Sequence, residues 1–218
     1  MIKIEETEVN GFKAAIRGMR NPMNSWDKSD SRYSCLCMDD KRDCPAEPYI
    51  VGPNDLALMK KLSKAGTDHA KFLRFITVTA DITAPMFWWF EYDTYKIGTV
   101  KNSCSKMHRI HVKPFNYDDF SHEGIDECGD FVKDVFKVII EQCEVLRQKF
   151  NATQEKKYWR ALIQMLPESY NMRATVFTNY QVLKNMYHAR KNHKLDCWHD
   201  LCRWSETLPY FKEVCTNA

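Results

Sequence analysis

Apolar positions recur every three or four residues through much of the second half of the chain. That spacing predicts helices over 130–150 (DFVKDVFKVIIEQCEVLRQKF), 152–166 (ATQEKKYWRALIQML), about 175–190 and about 195–206, because residues three and four apart share one helix face. Upstream, NDLALMKKLSKAG predicts an amphipathic helix with Asn54 as its cap, Leu56, Leu58, Met59 and Leu62 on one face, and Gly66 closing it. FLRFITVTADI, residues 72–82, alternates β-branched and aromatic residues and predicts a strand with Phe75, Thr77 and Thr79 on one side. Residues 3–17 predict a strand pair, or a strand turning at Asn10-Gly11, since Asn-Gly is the strongest short hairpin signal. MFWWFEYDTY, residues 86–95, fits helix or strand by pattern alone.

Two stretches lack periodicity. Residues 111–124 (HVKPFNYDDFSHEG) predict a connector around Pro114. Residues 20–50 predict a loop long enough to act as a lid or binding segment. Its RNPMNSWDKSDS run carries Arg20, Asn21, Asn24, Ser25 and Trp26, suited to covering a nucleotide, or else to an ordered surface excursion. No repeat, low-complexity tract or linker interrupts the chain, which predicts a single domain over 1–218.

At 218 residues and 44% hydrophobic content the chain can bury a sizeable core. Its 32 basic and 29 acidic residues give a net charge of +3, too balanced for a polyanionic partner such as duplex DNA. Any anion site must be local. No apolar run approaches the ~20 residues of a membrane span, and MIKIEETEV lacks the pattern of a signal peptide. These features predict a soluble, cytoplasmic protein with neither nucleic acid nor membrane as partner.

Nine cysteines are many for such a chain. Cys35, Cys37 and Cys44 cluster in the long loop and Cys197 and Cys202 lie about a helical turn apart, but neither group fits paired zinc-ligand spacing. Buried or reactive thiols are the expectation, with no metal. The acids of NYDDF and HEGIDECGD, beside a turn, are expected to face solvent rather than hold a cation. Neither a dinucleotide fingerprint nor a phosphate-binding glycine loop is present.

The segment ALIQMLPESYNMRATVFTNYQVLKNMYHAR, Ala161 to Arg190, resembles the substrate half of the flavin-dependent thymidylate synthases, on Leu166-Pro167, Arg173, Asn179, Leu183, Asn185 and Arg190. Upstream, APMFWWFEYDTYKIGTVKNSCS, Ala84 to Ser105, falls without a gap on the family's strand-to-signature segment, and His69 on its flavin-loop histidine. The family signature runs Arg-His-Arg, two residues, Ser, one residue, Asn-Glu, one residue, Ser, one residue, Arg-Tyr. Here those places hold Thr94-Tyr95-Lys96, Thr99, Lys101-Asn102 and Cys104, with Glu91 for a preceding Gln and Ile163 for a phosphate-binding Arg.

The resemblance implies an α+β fold with an antiparallel sheet, a helix over 86–95, and residues 173–190 along one helix. It implies methylation, or related modification, at C5 of a deoxyuridine nucleotide, with FAD as cofactor and reduced folate as donor. Arg190 would be catalytic; Asn179, Gln181, Arg173, Glu91, Cys104 and Ser105 would bind substrate; His69, Tyr95, Lys96, Asn102 and Asn185 would bind cofactor. The family assembles as a homotetramer whose subunits share active sites. Independently of the family, an Arg fork beside amides suits a planar hydrogen-bonding ring, whereas Arg190 on the last turn also suits a helix C-terminus. The altered signature leaves open a second class, a protein that binds a nucleotide without turning it over.

Overall fold

The computed structural model of the protein describes residues 1–34 and 49–216. Strand β1 (Lys3–Asn10) leads into helix α1 (Phe12–Arg20), not into a second strand. Asn10-Gly11 is therefore no hairpin: Gly11 takes φ 97° as the helix cap, and a Cβ there would lie 1.9 Å from the Phe75 carbonyl oxygen. Glycine alone meets both conditions. Phe12, Ala15, Ile16 and Met19 form the buried helical stripe that the turn signal outweighed.

The expected loop has structure at both ends. Two 3-10 turns, Asn21–Met23 and Trp26–Lys28, precede an antiparallel ribbon of β2 (Arg32–Tyr33) and β3 (Tyr49–Ile50). Cys35, Cys37 and Cys44 lie outside the described residues. Helix α2 (Pro53–Lys64) is capped by Gly52 rather than Asn54, and buries Asp55, Met59 and Ser63 more deeply than the leucines. The reason is polar. Asp55 Oδ1 takes the Arg20 Nε proton at 2.6 Å, while Oδ2 accepts from the Ser29 and Ser31 hydroxyls at 2.7 and 2.6 Å.

A 3-10 turn, Ala70–Phe75, displaces the start of the next strand, so β4 spans Thr77–Pro85 and the exposed Phe75 lies outside it. Val78, Ala80, Ile82 and Ala84 supply its buried face. There follow α3 (Met86–Tyr92), β5 (Val100–Ser103), α4 (Lys106–Arg109), α5 (Glu123–Glu127), α6 (Asp130–Thr153) and α7 (Lys156–Met165). Residues expected to open one helix at 173 instead form strand β6 (Asn171–Asn179), with helix α8 (Tyr180–Arg190) beginning after it. Ala174, Val176 and Thr178 are buried at a period of two, a strand pattern hidden by helical neighbours. Helix α9 (Asp196–Thr207) follows. The class is α+β, helices with an antiparallel sheet of order β1-β4-β6-β5.

The chain divides into two compact units, and each of the four sheet strands has residues in both. The first comprises Met1–Glu5, Asp81–Lys96 and Lys101–Val176. Its core packs Phe136, Ile140 and Cys143 of α6 against Leu162 of α7, Met86, Ile110, Phe120 and Leu166. Burial of each large side chain is worth ~1.5–3 kcal/mol. Arg147 Nε and Nη2 bond the Glu144 carboxylate at 2.7 and 2.6 Å, and Phe115 N–H donates to it at 3.1 Å. The Arg147 contact, aided by Gln148 and this amide, holds the Glu144 carboxyl down at about 2. The connector acids are likewise engaged: Lys133, Tyr117 and His122 hold Asp126 at about 2.

The second unit comprises Glu6–Ala80, Ile97–Val100 and Phe177–Ala218. Tyr180 meets Phe12 and Phe211 edge-on at 5.9 and 5.2 Å, and Met59, Leu183 and Trp198 are fully buried. Such edge contacts add ~0.5–1.5 kcal/mol to burial.

Candidate functional site

The site residues expected from the sequence fall into two groups, one in each unit. In the first unit α3 is anchored by Trp88, Trp89 and Tyr92, all buried, with Trp89 Nε1 donating to the Met172 carbonyl at 2.9 Å. Beyond this anchor the signature positions emerge onto open surface. Glu91 and Tyr95 are half-buried, while Lys96, Asn102, Cys104 and Ser105 are exposed. Lys101 is committed: its Nζ sits 2.6 Å from Asp93 Oδ2 and 4.8 Å over the Trp89 ring.

Cys104 and Arg173 are brought together through the backbone, Cys104 N–H donating to the Arg173 carbonyl at 2.9 Å. The Arg173 guanidinium is turned to acids, with Nη2 2.7 Å from Asp81 Oδ2 and Nη1 3.9 Å from Glu5. Thr175 donates to the other Asp81 oxygen at 2.5 Å. The Thr175 hydroxyl first and the Arg173 fork second lower the Asp81 carboxyl below its usual range. Asp81 therefore competes with any phosphate for Arg173. No spacing rule links residues 92 apart, so this acid was invisible in the sequence. Ser105 caps α4, accepting from His108 N–H at 3.2 Å.

In the second unit three amide side chains stand at and after the strand-to-helix junction, on Asn179, Gln181 and Asn185. Asn179 caps α8, its Oδ1 accepting from Val182 N–H at 3.1 Å. Its Nδ2 faces Gly98, where a Cβ would approach to 2.9 Å and where φ is +81°. Gln181, 7% exposed, donates from Nε2 to Asn185 Oδ1 at 3.1 Å, the i,i+4 partner one turn on. The Gln181 Oε1 has no hydrogen-bond partner in the protein. A buried carbonyl left unmatched costs ~1–3 kcal/mol. At the far end of α8 the Arg190 guanidinium lies 4.4 Å from the ring centroid of Trp198 on α9. That cation–π contact orients the fork at about 0.5–2 kcal/mol. Trp198 was not singled out in the sequence. His69 is exposed, ahead of the 3-10 turn Ala70–Phe75.

The structure thus pairs Gln181 with Asn185 on one face of α8, whereas Arg190 lies on the opposite face of the helix, against Trp198. Among the described residues no cluster of three or more His, Cys, Asp or Glu is placed to hold a metal ion, and no helix is long and apolar enough to cross a membrane.

The fold is that of the flavin-dependent thymidylate synthases. Thymidylate synthase X from Helicobacter pylori, solved with FAD and dUMP, matches with a TM-score of 0.69 and 15% identity, over 100% of this chain and 98% of that one. A second structure of the Helicobacter pylori enzyme, also complexed with FAD and dUMP, matches with a TM-score of 0.69 and 16% identity, over 99% and 98%. No protein-family model matches the chain, and no curated protein does.

Proposed function

We propose that this protein binds a deoxyuridine nucleotide and methylates, or otherwise modifies, its C5 position with the help of FAD, as a thymidylate synthase-like enzyme of residues 1–218 acting as one domain. The observation that carries this reading is Gln181: a deeply buried amide whose Oε1 lacks a partner matches the N3–H of a uracil ring. Gln181 bonds Asn185 on the next turn, Asn179 caps the same helix, and Arg190, oriented by Trp198, is the candidate to stabilise negative charge that builds on a ring oxygen during addition at the pyrimidine. Reduced FAD, when bound, supplies the hydride that completes the transferred carbon. Tyr95, Lys96 and Asn102 of the first unit are the chain's own candidates for holding the flavin, as are His69 and Asn185 of the second. Glu91, Cys104, Ser105 and Arg173 are its further candidates for substrate. A reduced folate is the proposed carbon donor, the cytoplasm the proposed location, and a homotetramer the proposed assembly.

A second reading has an observation of its own. Asp81 neutralises Arg173, Asp93 neutralises Lys101, and Ile163 stands where the family has an Arg, so these three positions offer little charge for phosphate. This favours a nucleotide-binding protein without turnover. Titration of the full chain with dUMP and with FAD separates the readings. Binding of both, with oxidation of the reduced flavin under anaerobic conditions only when dUMP and methylenetetrahydrofolate are both present, supports the enzyme. Binding of dUMP with no flavin quenching at about 100 μM, equivalent to ~5.5 kcal/mol, supports the binding protein. Binding of neither removes both.

A further inference from the structure

A cleft of about 720 Å³ opens in the second unit between helix α1, the β2–β3 ribbon and the turn at Tyr210. None of Gln181, Asn185 and Arg190 lines it. Small-molecule sites usually enclose roughly 300–1,000 Å³, so the cleft has room for a ligand of that kind. Much of its lining is aromatic. Tyr33 and Tyr49 are cross-strand partners in the ribbon, their rings edge-on at 5.0 Å, and Tyr210 adds a third ring. Tyr210 is held at φ 57°, a backbone region strained for a bulky side chain. Its hydroxyl accepts from Val51 N–H at 3.1 Å and its ring meets Phe12 edge-on at 5.5 Å, so packing keeps the ring in place despite the strain, a pattern common where ligands are gripped.

Helix α1 supplies the charge. Lys13 and Arg17 are both exposed and lie one turn apart, clear of the buried stripe that starts at Phe12, with Lys13 Nζ 5.1 Å over the Tyr33 ring. Like charges four residues apart on a helix repel, and an anion between them relieves this. Among the described residues that line the cleft, Glu213 is the one acid against these two cations.

We propose that the cleft binds a nucleoside monophosphate, with its phosphate on Lys13 and Arg17, its base against the tyrosine rings and a base N–H donating to Glu213. Such binding is independent of the α8 reading. A phosphate monoester carries nearly two negative charges at neutral pH, which matches two cations, and a guanidinium can bond two of its oxygens at once. A flat base offers the tyrosines the stacked and edge contacts that aromatic rings favour. The Glu213 carboxylate only accepts, so the ring must present an N–H. A sugar phosphate lacks the flat face, and an aromatic carboxylate brings one charge where the helix offers two.

The test is calorimetric titration of the full chain with GMP, whose base presents two adjacent N–H donors to one carboxylate, alongside guanosine and ribose 5-phosphate. Wild type is expected to bind GMP with a dissociation constant below about 1 mM, and each of the other two at least about tenfold more weakly. Arg17→Glu and Tyr49→Ala are each expected to weaken GMP by about tenfold or more, whereas Gln181→Leu leaves it unchanged, with thermal melts to verify folding. No GMP binding by wild type at about 5 mM overturns the inference, as does undiminished affinity in Arg17→Glu, an exposed position whose change spares the core. Affinity lost in Gln181→Leu but kept in Arg17→Glu moves GMP to α8 and overturns it equally. Ribose 5-phosphate binding as tightly as GMP overturns the role of the base, and with it the nucleotide assignment.

Discussion

Replacing Gln181 by Leu, an apolar side chain of similar size, is expected to move stability and binding in different directions. In the protein alone, the change removes a buried carbonyl that has no partner, relieving a penalty of ~1–3 kcal/mol, and sacrifices one hydrogen bond to Asn185, worth ~0.5–1.5 kcal/mol. Asn185 is exposed and rebonds to water. The net effect is a melting temperature equal to wild type or raised by the few degrees that ~1 kcal/mol gives a chain of this length. In the proposed complex the balance reverses, because the uracil N3–H loses its acceptor. That loss is worth about 2 kcal/mol, roughly a thirtyfold weaker dissociation constant. Calorimetric titration with dUMP, beside thermal melts, reads both quantities. Unchanged dUMP affinity in a well-folded Gln181→Leu protein refutes the assignment of the ring to α8. A large drop in melting temperature refutes the description of Oε1 as a local liability.

Arg190→Ala is expected to weaken dUMP binding by about 2 kcal/mol with the fold intact, and Arg190→Lys to recover little, because an ammonium lacks the planar fork. If Arg190 serves only the helix terminus, Ala instead lowers the melting temperature by ~0.3–1 kcal/mol of stability, Lys restores it, and affinity stays put. Glu144 gives a pH signature. Its folded carboxyl is lowered from 4.5 to about 2, chiefly by Arg147, so its stabilisation is complete above the unfolded value near 4.5 and disappears as pH falls from there towards 2. Denaturation of wild type and Glu144→Gln should therefore differ by up to about 3 kcal/mol at neutral pH and converge in acid; a constant gap would show the ion pair to be irrelevant.

The long helices were legible because α6, α7 and α9 bury one periodic stripe each, and α3 followed from the resemblance. Errors came where two signals competed within a few residues. At Gly11 a turn dipeptide masked a helix start, since the need for glycine arises from the Phe75 carbonyl, distant in sequence. At β6 five residues of strand alternation ran straight into α8, and a pattern read over a longer window averages both periods. In α2 the leucines suggested the buried face, but Asp55 is buried instead because its ion pair with Arg20 satisfies it. The Gln181–Asn185 pair of α8 was visible as residue types at a spacing. Asp81 against Arg173 and Trp198 beneath Arg190 were not, because each partner is set by tertiary packing.

The Asp55 carboxylate gathers Arg20, Ser29, Asp30 and Ser31, while Asp30 in turn accepts from the Asn54 and Asp55 amides. Ser31 closes the circuit by accepting from Gly52 N–H. Three stretches of chain are thereby tied at a single point, much as a covalent cross-link would tie them, but with a tie that exists only when all three are in place. Residues 20–31 should accordingly lack a partially loosened state: the segment and the first turn of α2 open together or stay shut, so their amides exchange with solvent as one cooperative group rather than fraying one by one.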